Sequence, residues 1–563
     1  QHSSQNKNSL PDNTIHSIFV DTNSKIWIAT NCGLSLFDPF RETFRNFKDV
    51  SGIHYTIQRA IYNVYSTSDD RIWVGTVSDL CYFDSKDTDL ILSGKKNVNH
   101  MFIQDIYWGI SNPTVYCVFE DSFKNIWIGS NGGGASFISS TSSFFHSWRI
   151  NKIPGVTNGL NDKEVLTICV ADNGNVWMGT DGGGINVNID GRNCMFYSHD
   201  TGDISSNTYH SSLKDSNGDL WFGNMYNEMG IDVFISKEGR FIHYTPQGNG
   251  SVIYCLFEDN QRNVWIGSNN GLEIYNLITK KKDFLNKENS QLLTNEIKAV
   301  SQDKNGNIWI GTLNKGISIY NPESKTMKHI NEHTIFENCV INQIFRDSKN
   351  RIWIATTEGL VLFPNEQSDT YQLFNTQNGL ACNLICSIEE DSEGNIWLST
   401  HSGISCFIES EQRFLNYDHK DGTLFGTYMN NSVGKAQDGT IYFGSINGVC
   451  YFNPKDRPSN IILPPVIFTD FKVYGRNPHE DAIDTSIPMT NGKIMLNHNQ
   501  NIFSITFNVM NKSLQGKVEY AYKLEGLEEN WINIGGDNQV TFRNIPYRNY
   551  KLHIKARYKN QEW

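Results

Sequence analysis

A single phrase recurs ten times along the chain, and it constrains the fold more than any other feature. It reads "KIWIAT", "RIWVGT", "NIWIGS", "NVWMGT", "DLWFGN", "NVWIGS", "NIWIGT", "RIWIAT", "NIWLST" and "TIYFGS". Its aromatic falls at Trp27, Trp73, Trp127, Trp177, Trp221, Trp265, Trp309, Trp353, Trp397 and Tyr442. A β-rich stretch such as "TVYCVFED" precedes it. A turn, a third run such as "GLEIYN" and a weaker aromatic segment follow it. Four short strands with turn chemistry between them predict antiparallel sheet. In "IWIGT" neither alternate set of side chains is polar, so both faces of each sheet are expected to be covered. Four-stranded sheets packed face to face about an axis supply that cover, and the prevailing 44-residue spacing fits one β-propeller blade.

Spacing divides the copies. From Trp177 to Tyr442 the intervals are five of 44 and one of 45. These seven copies predict a complete seven-bladed propeller over residues 151–455. The earlier intervals are 46, 54 and 50, with inserts at 84–114 and 144–164. Residues 1–150 are therefore expected to be the last three blades of a first, truncated propeller. Three blades alone would expose a large apolar face, so the expectation is either that the chain is a fragment or that part of it is missing from the numbering. Residues 456–465 form a linker containing Leu463-Pro464-Pro465, where proline stiffens the chain. Strand-like runs over 466–563 predict an immunoglobulin-like β-sandwich that lacks its last strand. The expected fold class is all-β throughout.

Most copies carry an Asp six residues before the aromatic: Asp21, Asp121, Asp215, Asp259, Asp303, Asp347 and Asp391. A residue repeated in most blades cannot converge on one active site, so it is read as a turn former bonding nearby backbone N–H groups. The 11 cysteines include no CxxC pair; Cys117, Cys169 and Cys255 are read as small buried hydrophobes. No metal site and no cofactor are expected. A net charge of −12 lacks the basic footprint of a nucleic-acid binder. No run approaches the roughly 18 apolar residues of a membrane helix, and any signal peptide is expected to lie outside this segment.

The blade "D-x-x-G-N-I-W-I-G-T…G-L/I…Y" resembles the two-component-regulator propeller repeat. The tail "VEYAYKLEGLEENWINIGGDNQVTFRNIPYRNYKLHIKARYKNQEW" resembles the Y_Y_Y domain that follows such propellers, with Tyr520, Tyr522, Leu524, Gly526, Trp531, Tyr550 and Ala556 at its pattern positions. The resemblance implies the sensor region of a hybrid two-component histidine kinase, on the periplasmic side of the inner membrane. It further implies an oligosaccharide ligand, a homodimer, and a membrane helix beyond the C-terminus that leads to the kinase. No phosphotransfer chemistry is expected in this segment. The alternatives are a propeller-based carbohydrate-active enzyme, hydrolase or lyase, and a scaffold for protein interaction.

Two features nominate a ligand site. The Trp221 copy has a longer loop after its motif, "NMYNEMG", and insertions in repeats map to binding faces; it offers Tyr226, Asn227 and Glu228. The residue 11 before each motif aromatic is chemically mixed among apolar neighbours: Leu166, His210, Tyr254, Lys298, Asn342, Cys386 and Asn431. A column that packing does not standardise is free to face a channel mouth, so His210, Tyr254, Lys298 and Asn431 are candidates for holding hydroxyls, carboxylates or a sugar face. Lys315 and His401, from turns on the same rim, complete the set.

Overall fold

The computed structural model describes the chain apart from residues 7, 22, 48–59, 93–98, 102–111, 113, 141–143, 151–158, 190–193, 226–229, 248–251, 332–333, 366–369, 458–462, 474–493, 498–499, 512–513, 515 and 559–562. The described residues are almost wholly antiparallel sheet, in two compact units. One unit is Ser142–Arg457; the other joins Gln1–Thr141 with Pro458–Trp563.

In Ser142–Arg457 the described residues form seven four-stranded sheets. The Trp177 sheet is typical, running Val165–Val170, Val176–Thr180, Ile185–Asn188 and Cys194–Tyr197 in spatial order. The first strands of successive sheets lie side by side, and the first strand of the Tyr442 sheet, Tyr428–Lys435, lies against Val165–Val170. The ring is therefore closed, and Ser432 Oγ donates to the Val165 carbonyl at 3.1 Å across the joint.

The closing sheet departs from the sequence reading. Its outer strand is His146–Trp148, paired antiparallel with Gly448–Phe452. Residues before 151 thus belong to the ring, and part of the supposed insert at 144–164 is its fastening. The reason is energetic: Phe144 and Phe145 are buried against the last two sheets, and Trp148 is buried between the closing sheet and the Trp177 sheet. Phe144 packs against Trp397 and Phe452, while Trp148 stacks on Tyr442.

The repeated Asp does more than shape a turn. In all seven cases one carboxylate oxygen accepts the backbone N–H groups two and four residues on, for Asp303 those of Asn305 and Asn307, both at 2.9 Å. The other oxygen accepts the motif indole N–H at 2.8–3.2 Å. Turn and blade core are thereby one hydrogen-bonded piece, so the Asp recurs with the Trp. Where Thr67 replaces Asp, its hydroxyl accepts from Trp73 at 3.3 Å. Where Ala171 stands instead, the buried Trp177 indole N–H has no partner. Ala171→Asp is expected to raise stability by about 1–2 kcal/mol, since a hydrogen bond to a charged group outweighs a neutral one. The denaturation midpoint checks this; an unchanged or lower midpoint would show that burying the carboxylate costs as much as its bonds return.

The small residue of the motif is a packing requirement. A Cβ on Gly311 would lie 2.4 Å from Ile341 of the next inner strand; copies with Ala or Ser show how little more is tolerated. None of the 11 cysteines, all of them among the described residues, is in a disulfide. Cys169 and Cys255 are buried as expected, and burial pushes both thiols up to about 12. Cys117 differs: it is exposed on Val115–Glu120, the first strand of the Trp127 sheet.

The other unit contains the Trp27, Trp73 and Trp127 sheets, of four, four and three strands. Ile18, Val20 and Phe119 of their first strands are more than half exposed. Two three-stranded sheets follow: Val466–Val473, Ile502–Val509 and Gln539–Arg543, and Ile532–Gly535, Val518–Glu525 and Lys551–Tyr558. Their facing side chains, among them Phe507, Tyr520, Leu524 and Phe542, make one core. Tyr550 donates to the Pro546 carbonyl at 2.8 Å, the corner bond of immunoglobulin-like sandwiches. Leu463 packs on this core, so the Pro-containing segment joins the sandwich directly.

Candidate functional site

Each inner strand of the ring carries a register shift at the column nominated from sequence. Shifts lie between Val165 and Thr167, Tyr209 and Ser211, Ile253 and Cys255, Ile297 and Ala299, Ile341 and Gln343, and Ile385 and Ser387. In the closing sheet the shift is longer, from Tyr428 to Val433. The column residue is thus the extra residue of a β-bulge, which bends the strand and re-aims a side chain. This is why packing does not standardise it.

The bulges bring three candidates together on adjacent strands. The His210 and Tyr254 rings lie 6.1 Å apart edge to face, and Lys298 Nζ sits 3.3 Å from the Tyr254 ring centre. Among the described residues Lys298 has no carboxylate within ion-pair distance. Burial lowers its pKa, with Glu296 opposing from further away. Burial, and then the Lys298 charge, push His210 down to about 4. Its imidazole is therefore neutral at physiological pH, with Nδ1 buried and unpartnered.

Three other members of the column serve packing or tie neighbouring strands together. Leu166 is buried. Asn342 donates to the Ile385 carbonyl at 2.7 Å, and Cys386 Sγ lies 3.3 Å from the Tyr428 carbonyl. Both are spent tying one inner strand to the next. Asn431 is half-buried with φ +55°, a left-handed conformation that Asn tolerates better than most residues. Lys315 and His401 are exposed in turns. Tyr226, Asn227 and Glu228 lie outside the described residues.

Just past the bulges a cavity of about 300 Å³ opens between inner strands. Its wall starts at Cys255, Ala299 and Gln343, runs to Gln302 and Arg346 at the strand ends, and includes Asn431. Sequence reasoning missed Gln343 and Arg346, because nothing in a single repeat marks which inner-strand residues border the axis.

The one Ser, Asp and His cluster in the Trp221 sheet is not arranged for nucleophilic chemistry. Ser205 Oγ and Tyr209 OH both donate to Asp232 Oδ2, and His243 Nδ1 lies 3.2 Å from Asp232 Oδ1. Serine and histidine thus share a carboxylate, whereas a relay needs them bonded to each other. Among the described residues no group of three or more His, Cys, Asp and Glu could hold a metal ion, and no helix is long and apolar enough to cross a membrane.

A closed ring of radial sheets with a cavity between inner strands, in one chain with further blades and a sandwich, defines a propeller-type domain. Comparison with known proteins narrows this. The family described as Two component regulator propeller matches residues 9–32, 109–132, 159–182, 247–270, 291–314, 335–358 and 379–402, and the Y_Y_Y domain matches 511–563. The crystal structure of the extracellular domain of the hybrid two-component system BT3049 from B. thetaiotaomicron is 37% identical, with a TM-score of 0.82, covering 98% of this chain and 72% of that one. The corresponding domain of BT4673 from the same organism is 20% identical, with a TM-score of 0.49, over 99% of this chain and 81% of that one. Histidine kinase P4 of Formosa agariphila is 31% identical over 150 residues, which is 26% of this chain and 11% of the kinase. The chain belongs to the family of extracellular domains of hybrid two-component systems built from two-component-regulator propeller repeats and a Y_Y_Y domain. By that kinship it is the extracellular segment of a hybrid two-component system.

Proposed function

We propose that this chain is the periplasmic ligand-sensing region of a hybrid sensor kinase and that a glycan-derived oligosaccharide docks at the bulge rim of the complete ring. The observation that carries the reading is the meeting of His210, Tyr254 and Lys298 at the bulged positions of three adjacent strands, with the sequence neighbours Cys255 and Ala299 bordering a cavity. An aromatic ring and a cation without a carboxylate partner offer a sugar both a stacking surface and a charged donor. Asn431 borders the same cavity. Lys315, His401 and the Tyr226–Glu228 loop serve as outer contacts. Signal passes through the Y_Y_Y domain to a membrane helix beyond Trp563 and to a kinase that works as a homodimer. A ligand shifts such a system only through different affinities for its two states.

A calorimetric screen of neutral and acidic oligosaccharides tests the reading. Tyr254→Ala and His210→Ala are expected to weaken the best ligand at least tenfold, about 1.4 kcal/mol, with the melting temperature within a few degrees of the parent. Unchanged affinity in both variants would move the site away from the rim. Release of a cleaved product would favour the enzyme alternative.

A further inference from the structure

Four of the ring's seven joints are clipped by a repeated contact, which Val170 and Lys435 at the equivalent position do not make. The last paired residue of an inner strand reaches back to the turn of the preceding sheet, to the residue just after the turn Asp or its replacement. Lys214 donates to Asp172 at 2.7 Å. Glu258 accepts the Ser216 N–H at 2.6 Å, Gln302 accepts the Asn260 N–H at 2.9 Å, and Glu390 accepts the Ser348 N–H at 2.8 Å. In the Trp353 sheet this position holds Arg346, and the turn residue it would meet is Lys304. Two cations cannot make the clip. Arg346 is exposed, has no hydrogen bond or ion pair among the described residues, and borders the axial cavity.

The nearby carboxylates are committed elsewhere. Glu389 lies 3.4 Å from Lys435, and both oxygens of Glu390 are taken by Ser348. Gln302 is also spent, bonding Asn260 through both ends of its amide. Gln343 accepts the Ile388 N–H through its oxygen, which leaves its NH₂ to donate. A chain of net charge −12 thus holds a guanidinium that borders the cavity and an ammonium next to the cavity residue Ala299, neither with a carboxylate partner among the described residues. Lys298 stands at the start of its strand and Arg346 at the end of the next, four residues further along the register. At about 3.3 Å per residue the two are separated by roughly 13 Å along the strand direction. A single small anion cannot span that distance, but an elongated ligand can.

We propose that the ligand is a short acidic oligosaccharide whose anionic group, carboxylate or sulfate, enters the axial cavity and is held by Arg346, with Gln343 and Asn431 as neutral donors and the sugar chain leaving past Lys298 and Tyr254. This rests on the rim reading above and deepens it by naming the ligand class. At this joint the ligand's charge then takes the place that a side chain fills at the four clipped joints.

The test is calorimetry on the full chain, Arg346→Gln, Lys298→Gln and Tyr254→Ala. The probes are trigalacturonate and a sulfated chondroitin disaccharide, each beside its carboxyl-reduced or desulfated counterpart. At least one acidic probe is expected to bind, ten times or more tighter than its neutral counterpart and more weakly as salt rises. Arg346→Gln is expected to lower that affinity at least tenfold and to erase the preference for the acidic form; Lys298→Gln is expected to lower it by a similar factor. Which counterpart loses binding distinguishes carboxylate from sulfate. Neutral probes binding as tightly as acidic ones, with loss only in Tyr254→Ala, would overturn this inference and leave the rim reading standing. Acidic binding indifferent to Arg346→Gln would overturn it too. No binding by any of these probes would overturn the inference and leave the rim reading to the wider oligosaccharide screen.

Discussion

A fragment spanning residues 142–457 is expected to unfold cooperatively, whereas one spanning 151–457 is expected to lose most of its stability. The shorter fragment lacks Phe144, Phe145 and Trp148, each at most 8% exposed. Truncating one buried aromatic costs about 3–5 kcal/mol, so losing three amounts to on the order of 8 kcal/mol or more even if their contributions overlap. That is comparable to the whole stability of a typical domain, about 5–15 kcal/mol. The deletion also unpairs Gly448–Phe452, which gives its outer hydrogen bonds to His146–Trp148, and leaves a sheet edge exposed to aggregation. Urea titration followed by near-ultraviolet circular dichroism measures the difference. Equal midpoints for the two fragments would show that the ring does not depend on this strand.

Trp309→Ala is the second large effect, expected to cost about 3–5 kcal/mol. The indole is 1% exposed, packs edge to face on Phe363 with ring centres 5.2 Å apart, and donates to Asp303 at 3.2 Å. Its loss leaves a cavity between two sheets and takes one partner from the Asp303 carboxylate. Trp309→Phe separates these terms: it keeps most of the packing and removes the donor, so about 1–3 kcal/mol is expected. Because the site lies in one joint of a closed ring, the whole of Ser142–Arg457 is expected to melt at a single lower temperature. A loss below about 1 kcal/mol in Trp309→Ala would mean that neighbouring side chains collapse into the space, contrary to the dense packing of such interiors.

The sheets themselves were legible in the sequence because everything that makes one is local. Turn, indole and carboxylate lie within six residues, and the apolar runs on both sides of them declare two covered faces. The bond from Trp Nε1 to Asp was not foreseen, although its trace was there: the Asp stood at a constant offset from the Trp, and Trp177 had lost its partner to Ala171. Part of the candidate site was legible for a related reason. A bulge residue escapes the demands of packing, so chemically mixed residues accumulate in its column, and His210, Tyr254 and Lys298 stood out. Asn342 and Cys386 of the same column, which were not nominated for the site, have side chains that bridge neighbouring inner strands.

By itself, then, the sequence determined the unit: an antiparallel four-stranded sheet, apolar on both faces, repeated, and followed by a sandwich. Only the tertiary structure decided which strand fastens the ring and which residues meet at its axis. The strand His146–Trp148 pairs with residues some 300 positions later, and Arg346 is conspicuous only beside a turn residue, Lys304, from another sheet. The physical reason is the same in both cases. Local strand and turn preferences are written at short sequence separation, whereas ring closure and cavity lining depend on pairings between distant segments that no local periodicity encodes.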